Sequence, residues 1–166
     1  MRITFLGDVM IKKQQISKLN CCIPENYNSI FEYLKDDIAS SDYTIVNLET
    51  PIAGQKLGYT SELYSFNAPI AFGKAIKNAG IDMCITANNH CLDRGIDGLK
   101  NTIINLKNIG LKTIGTHIEK DKSYVIEEFS GVKVGFLAYT YGTNAFSNHE
   151  YLEKKTEYMV DMFQYC

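Results

Sequence analysis

The sequence predicts an α/β fold: a mostly parallel sheet with helical crossovers and an antiparallel hairpin at one edge, in a single domain over residues 1–166. Three observations carry this. Short apolar runs rich in β-branched residues alternate with stretches whose apolar residues recur at helical spacing. Their β-α-β-α-β-α-β order implies parallel strands joined by right-handed crossovers. Ser130-Gly131 then separates two strand-like runs by the pair of residues that a tight hairpin requires.

Taken in order, residues 2–6 are a short, mainly apolar run with β-branched Ile3 and Thr4 that leads into Gly7-Asp8, so the first strand is expected to be buried and to end at a carboxylate. Tyr27, Ile30, Phe31, Leu34 and Ile38 share one face of a 3.6-residue period, with Pro24 just ahead of them, which predicts a helix. Residues 43–48 form the second strand. Residues 50–67 contain Pro51, Gly54 and Gly58 without periodicity and read as a long loop. Structureless loops beyond about 12–15 residues in a compact domain are often functional. Its aromatic residues Tyr59, Tyr64 and Phe66 either border a crevice or pack over the sheet.

Pro69 opens a helix that runs to Ala79 and stops at Gly80. Residues 82–87 form the third strand and run into Asn88-Asn89-His90. Ile96, Leu99, Ile103 and Leu106 define another amphipathic helix, stopped by Gly110. Residues 111–115 are a short fourth strand, and 123–129 and 132–139 are the hairpin arms. Residues 149–166 read as a helix whose apolar face, Tyr158, Met159, Met162 and Phe163, lacks a partner elsewhere in the chain.

Charge and composition remove several function classes. The 166 residues carry 17 Lys+Arg against 19 Asp+Glu, a net charge of −2, and no basic block reaches five residues. Neither nucleic acid nor an anionic membrane finds an electrostatic footprint. No apolar run approaches the roughly 20 residues that span a bilayer, and Asp8 comes too early for a signal peptide. The expectation is a cytoplasmic chain, with a membrane-associated or envelope parent as the alternative. The five cysteines, Cys21, Cys22, Cys84, Cys91 and Cys166, include no C-x-x-C pair and are expected to be reduced bystanders. No G-x-G-x-x-G follows a strand and no P-loop occurs, which argues against a nucleotide-binding domain.

Chemistry concentrates at three strand ends: Gly7-Asp8, Asn47-Leu48-Glu49 and Asn88-Asn89-His90, the last followed by Asp93-Arg94. In an open parallel sheet the carboxyl ends of the strands line one crevice, where ligands bind. Asp8, Glu49 and Asn89/His90 should therefore converge across about 40 residues of sequence at each step. Each has an ordinary reading as well: Asp8 as a turn cap, Glu49 as a solvated loop carboxylate, Asn88-Asn89 as turn residues, His90 as a structural histidine. As a set they form a mixed oxygen and nitrogen donor group suited to Mn²⁺, Mg²⁺, Fe²⁺ or Zn²⁺. One or two such ions could activate a water against a phosphate ester, with His90 as proton donor to the leaving group.

These residues sit in stretches that resemble the CapA family of bacterial capsule and poly-γ-glutamate synthesis proteins, a branch of the calcineurin-like metallophosphoesterases. The stretches are FLGDVM (5–10), NLETPI (47–52), FNAP (66–69), AGIDMCITANNHCLDRGIDGLKNTI (79–103), GLKTIGT (110–116) and GFLAYTYGTN (135–144). The resemblance implies a four-layered α/β/β/α phosphoesterase core, here partial, with Asp8, Glu49, Asn89 and Asn47 as metal ligands and His90 as the catalytic histidine. It further implies a phosphorylated small molecule or an anionic polymer as the partner. Met10 stands where the wider superfamily has a histidine, and the family's later His-Trp-Gly-x-Glu-type segment has no match. Asn148-His149-Glu150-Tyr151 echoes it but reads as a helix start. The chain thus looks like an N-terminal part of such a protein, with an exposed sheet edge that favours self-association. Two functions stand against each other: a metal-dependent phosphoesterase, and a non-catalytic accessory of polymer synthesis or export with a vestigial metal site.

Overall fold

A computed structural model of the chain describes residues 1–19, 23, 25–60, 65–144 and 152–163. Four parallel strands, β1 (Ile3–Val9), β2 (Tyr43–Leu48), β3 (Met83–Ile85) and β4 (Lys112–Ile114), form one sheet in the order β1-β2-β3-β4. Simple sequential order follows from the crossovers. Each returning helix lands beside the strand just left, and all pack on one face.

That face carries the main core. Leu6, Val46, Leu48 and Cys84 project from the strands into Phe72, Ala75 and Ile76 of α4 (Ile70–Asn78) and Leu106 of α5 (Gly95–Ile109). The first crossover brings Tyr27 and Phe31 onto Phe72, with ring centroids 6.0 and 6.3 Å apart. Helix α5 keeps its sequence-predicted face and ends where expected. Gly110, at φ 87°, takes the left-handed position and closes the last turn with bonds to Leu106 and Lys107.

The first crossover departs from the continuous helix expected. After α1 (Lys13–Leu19) it consists of α2 (Glu25–Asn28), a 3₁₀ segment (Ser29–Leu34) and α3 (Lys35–Ala39). The tighter winding changes the angular step per residue, so the five apolar positions no longer share a stripe. Tyr27, Phe31 and Ile38 are buried, whereas Ile30 and Leu34 are each 38% exposed. Pro24 lies outside the described residues, as do Cys21, Cys22, Tyr64, Cys166 and the 148–151 segment.

The hairpin forms as β5 (Val125–Phe129) and β6 (Val132–Phe136), closed by Ser130 at φ 49° and Gly131 at φ 84°. Two left-handed residues match the strand twist of a two-residue turn. Its placement is face-on: it is a separate two-stranded sheet lying across the side of the main sheet opposite the helices. The reason is apolar. Phe136 and Phe129 pack on Tyr43 (centroids 5.9 and 5.3 Å), and Ile45, Met83 and Ile114 complete that second core.

The helix expected near the end is replaced by a 3₁₀ turn (Glu157–Met159) and extended chain. Val160 bridges Thr116 and Met162 bridges Thr140, so this segment threads between the end of β4 and the chain leaving β6. Its apolar face also has a partner: Met159 and Val160 are buried against Cys91, Leu92 and Leu99.

Candidate functional site

Strand geometry places the first carboxylate. Between β1 and β2 the register runs Leu6 to Val46 and then Asp8 to Asn47, so Gly7 is an extra residue, a β-bulge. Without it Asp8 would pair with Leu48 and share the helix-covered face with Leu6; the one-residue slip turns it to the side of Asn47. The amide nitrogen of Asn47 donates to Asp8 Oδ1 at 2.7 Å and to Glu49 Oε2 at 2.6 Å. One amide thus holds two carboxylates that the sequence separates by 40 residues.

The third strand end joins them through two residues. Asn88 is buried; its Nδ2 donates to Asn47 Oδ1 (3.1 Å) and to the Leu48 carbonyl (2.9 Å), and its Oδ1 accepts the His90 backbone N–H (3.1 Å). His90, also buried, places Nε2 3.9 Å from Glu49 Oε1. Asn89 is exposed, and its side chain donates to Asn144 Oδ1 at 3.2 Å. Among the expected site residues, then, Asp8, Asn47, Glu49 and His90 form one group, while Asn89 bonds outward to Asn144 and Asn88 takes the inner position.

His90 is held from three sides. Its Nδ1 lies 2.7 Å from Asp93 Oδ2, whose side chain is wholly buried. The Phe66 ring meets the imidazole edge-on at 4.6 Å, and the Phe66 backbone N–H donates to the same Asp93 oxygen at 2.7 Å. Asn144 Nδ2 approaches Nδ1 to 3.1 Å. One ring nitrogen cannot donate to Asp93 and accept from Asn144 at once. The shorter contact to a buried carboxylate gives Nδ1 the hydrogen and turns Nε2 towards Glu49.

Asp93 is the partner that sequence reading passed over as a function. The i, i+3 spacing after His90 was the available signal, but nothing local says that the two side chains meet. The long loop supports the same residues. Arg94 binds Ser65 Oγ and the carbonyls of Gly58 (3.2 Å), Tyr59 (3.4 Å) and Ser65 (3.2 Å), and Asn67 bonds to Gly54 and Gly58 across the loop. Of the loop's aromatic residues, Phe66 is buried packing against the site.

Burial raises the Glu49 carboxyl above its ordinary pKa. The bond from Asn47 and the nearby His90 pull it down, while Asp8 and Asp93 push it further up. Such a carboxylate is underserved by its surroundings, and a cation would relieve it. Among the described residues no three His, Cys, Asp or Glu side chains lie together as a metal group. An ion here would therefore need amide oxygens beside Asp8 and Glu49, a donor set suited to hard cations. Met10 offers only a thioether, a poor ligand for such ions. A cavity of about 670 Å³ lies elsewhere, between α5 and the β4–β5 connection, lined by Lys107, Thr113, His117 and Tyr124 among others.

The chain is similar to known proteins over most of its length. The model of the family described as bacterial capsule synthesis protein PGA_cap matches residues 2–163. The chain is 28% identical over 145 residues to the capsule biosynthesis protein CapA of Bacillus anthracis, covering 83% of this chain and 34% of that protein. It is 25% identical over 141 residues to the PGA biosynthesis protein CapA of Bacillus subtilis (strain 168), covering 82% and 36%. It spans about a third of the length of these curated relatives. With nearly every residue inside the match, the chain belongs to the PGA_cap family of bacterial capsule synthesis proteins.

Proposed function

We propose that the strand-end group is the working part of a metal-dependent phosphoesterase that serves capsule or poly-γ-glutamate synthesis. The observation that carries this reading is the meeting of Asp8, Asn47 and Glu49 with the His90–Asp93 pair at the carboxyl ends of three parallel strands. Asp8 and Glu49 would supply the anionic oxygens; Asn47, whose NH₂ end bonds both carboxylates and whose oxygen accepts from Asn88, and Asn89 would have to turn their amide oxygens to the ion to complete the donor set. A divalent cation held there would supply Lewis acidity at the phosphoryl oxygen.

The chain's own residues do the rest. Asp93 fixes the ring and stabilises His90 when it carries a second proton. Nε2 then delivers that proton to the leaving oxygen. Phe66 screens the ring from water on one side. The substrate is a phosphorylated small molecule or a segment of anionic polymer. No helix among the described residues is long and apolar enough to cross a membrane.

The accessory reading rests on Met10 and on the need for amide ligands, which together leave fewer strong donors. Mn²⁺ titration followed by thermal melting separates the two. A ligand at 100 times its dissociation constant adds about 2.7 kcal/mol, which for a domain of this size raises the melting temperature by roughly 2–4 °C per kcal/mol. The parent should show that rise and Asp8→Ala should lose it. His90→Ala should keep it and lose hydrolysis of a chromogenic phosphodiester. No rise in the parent would leave the accessory function as the reading to pursue, and full activity in His90→Ala would remove the proton-donor role.

A further inference from the structure

Phe66 brings two groups to the site histidine. Its ring meets the His90 imidazole edge-on at 4.6 Å. Its backbone N–H donates to Asp93 Oδ2 at 2.7 Å, the same oxygen that lies 2.7 Å from His90 Nδ1. A backbone donor is aimed by the segment that carries it, and here that segment is fixed at the next residue, Asn67.

Asn67 is wholly buried, and both ends of its side chain are engaged. Its Oδ1 accepts from the Ala53 N–H (2.8 Å), and its Nδ2 donates to the carbonyls of Gly54 (2.9 Å) and Gly58 (2.6 Å). An N–H on one side and two carbonyls on the other allow the amide a single orientation. The backbone of Asn67 is locked to Thr60. The Asn67 N–H donates to Thr60 Oγ1 (2.9 Å), and the Thr60 N–H and hydroxyl each donate to the Asn67 carbonyl at 3.1 Å. The Ala68 N–H then donates to the Pro51 carbonyl at 2.7 Å. Three successive N–H groups, of Phe66, Asn67 and Ala68, are thus tied to three separate parts of the chain.

We propose that Asn67, locked by Thr60, is a positioning residue for His90: it holds Phe66 where its N–H fixes Asp93 and its ring fixes the imidazole. The consequence for proton delivery rests on the phosphoesterase reading above; the positioning itself does not.

Three variants test it. Asn67→Ala removes the side-chain amide, Thr60→Val replaces the hydroxyl by a methyl group, and Thr60→Ser keeps the hydroxyl. In metal-free protein, amide exchange at Phe66 should quicken about tenfold in Asn67→Ala and Thr60→Val, the size expected for one lost hydrogen bond, with a smaller change in α4. Nuclear Overhauser effects between the Phe66 and His90 rings should weaken in both, and Thr60→Ser should stay near the parent in exchange and ring contacts alike. With Mn²⁺ and a chromogenic phosphodiester, kcat should fall by up to about 100-fold in Asn67→Ala and Thr60→Val at an unchanged Mn²⁺ dissociation constant. If Asn67→Ala does not fold, the Thr60 pair decides. Parent-like exchange and ring contacts in the variants that lose a group would overturn the positioning role, as would exchange quickened equally at Phe66 and in α4 with the ring contacts intact. If the parent hydrolyses nothing, the phosphoesterase reading fails, and the metal-free spectra alone decide the positioning.

Discussion

At the scale of single residues, Glu49 sits at a balance of opposing forces. Burial raises its pKa and the hydrogen bond from Asn47 only partly offsets this. Between the ordinary carboxylate pKa and the raised folded value, the folded chain holds a proton that the unfolded chain has already released. Stability linked to that proton is complete below the ordinary carboxylate pKa and is lost as pH rises through the raised folded value. Glu49→Gln keeps the shape and removes the charge. In metal-free protein its melting temperature should exceed that of the parent by a few degrees near neutral pH, and the gap should close towards about pH 4. A gap independent of pH would show that ionisation of Glu49 is not what the fold opposes. The convergence of Asp8, Glu49 and His90 was legible because polar residues ended three apolar runs. The inner place of Asn88 and the grip of Asp93 were not, since adjacent asparagines and an i, i+3 carboxylate look alike in sequence whichever way they turn.

Among the elements, the decisive features are irregularities. The Gly7 bulge swings Asp8 onto the face of Asn47, yet a glycine before an aspartate reads equally well as the end of a strand. The 3₁₀ winding of residues 29–34 undoes a stripe that periodicity alone supports. Gly115 marks a third case. It sits at φ +96°, and a Cβ there would lie 2.5 Å from the Ala87 Cβ and 3.1 Å from both the Ala87 nitrogen and the Ala138 carbonyl oxygen. Two of those neighbours are backbone and cannot swing aside. Gly115→Ala should cost about 1–3 kcal/mol from overpacking, with the positive φ adding to it. The expected reading is a melting temperature lowered by roughly 2–4 °C per kcal/mol; an unchanged melt would mean that Ala87 and Ala138 part without strain.

At the scale of the molecule, three apolar clusters among the described residues divide the labour. The helix-covered core holds the sheet, the hairpin seals its other face, and a small third cluster of Cys91, Leu92, Leu99, Met159 and Val160 ties the last segment to the turn that carries His90. Polar clasps reinforce that tie. Asp161 accepts from Ser123 Oγ at 2.6 Å and meets His117 Nε2 at 3.0 Å. Met159→Ala should destabilise by about 2–5 kcal/mol and should speed amide hydrogen exchange at residues 91–95 more than in α4. A lower melting temperature with uniform exchange would place Met159 in general core support and detach it from the site.

Local pattern determined the strands, the helix boundaries at Gly80 and Gly110, the hairpin turn and the three polar strand ends. Each of these rests on interactions within a few residues: period, capping and turn chemistry. Tertiary structure alone decided the rest. The hairpin lies on the sheet face because Tyr43, Met83 and Ile114 need cover. The last segment is extended because the Gly115 carbonyl, the His117 N–H and both backbone groups of Thr140 pair with it. Asn89 faces Asn144, and His90 faces Asp93, because side chains choose partners by distance in space, which a linear pattern does not contain.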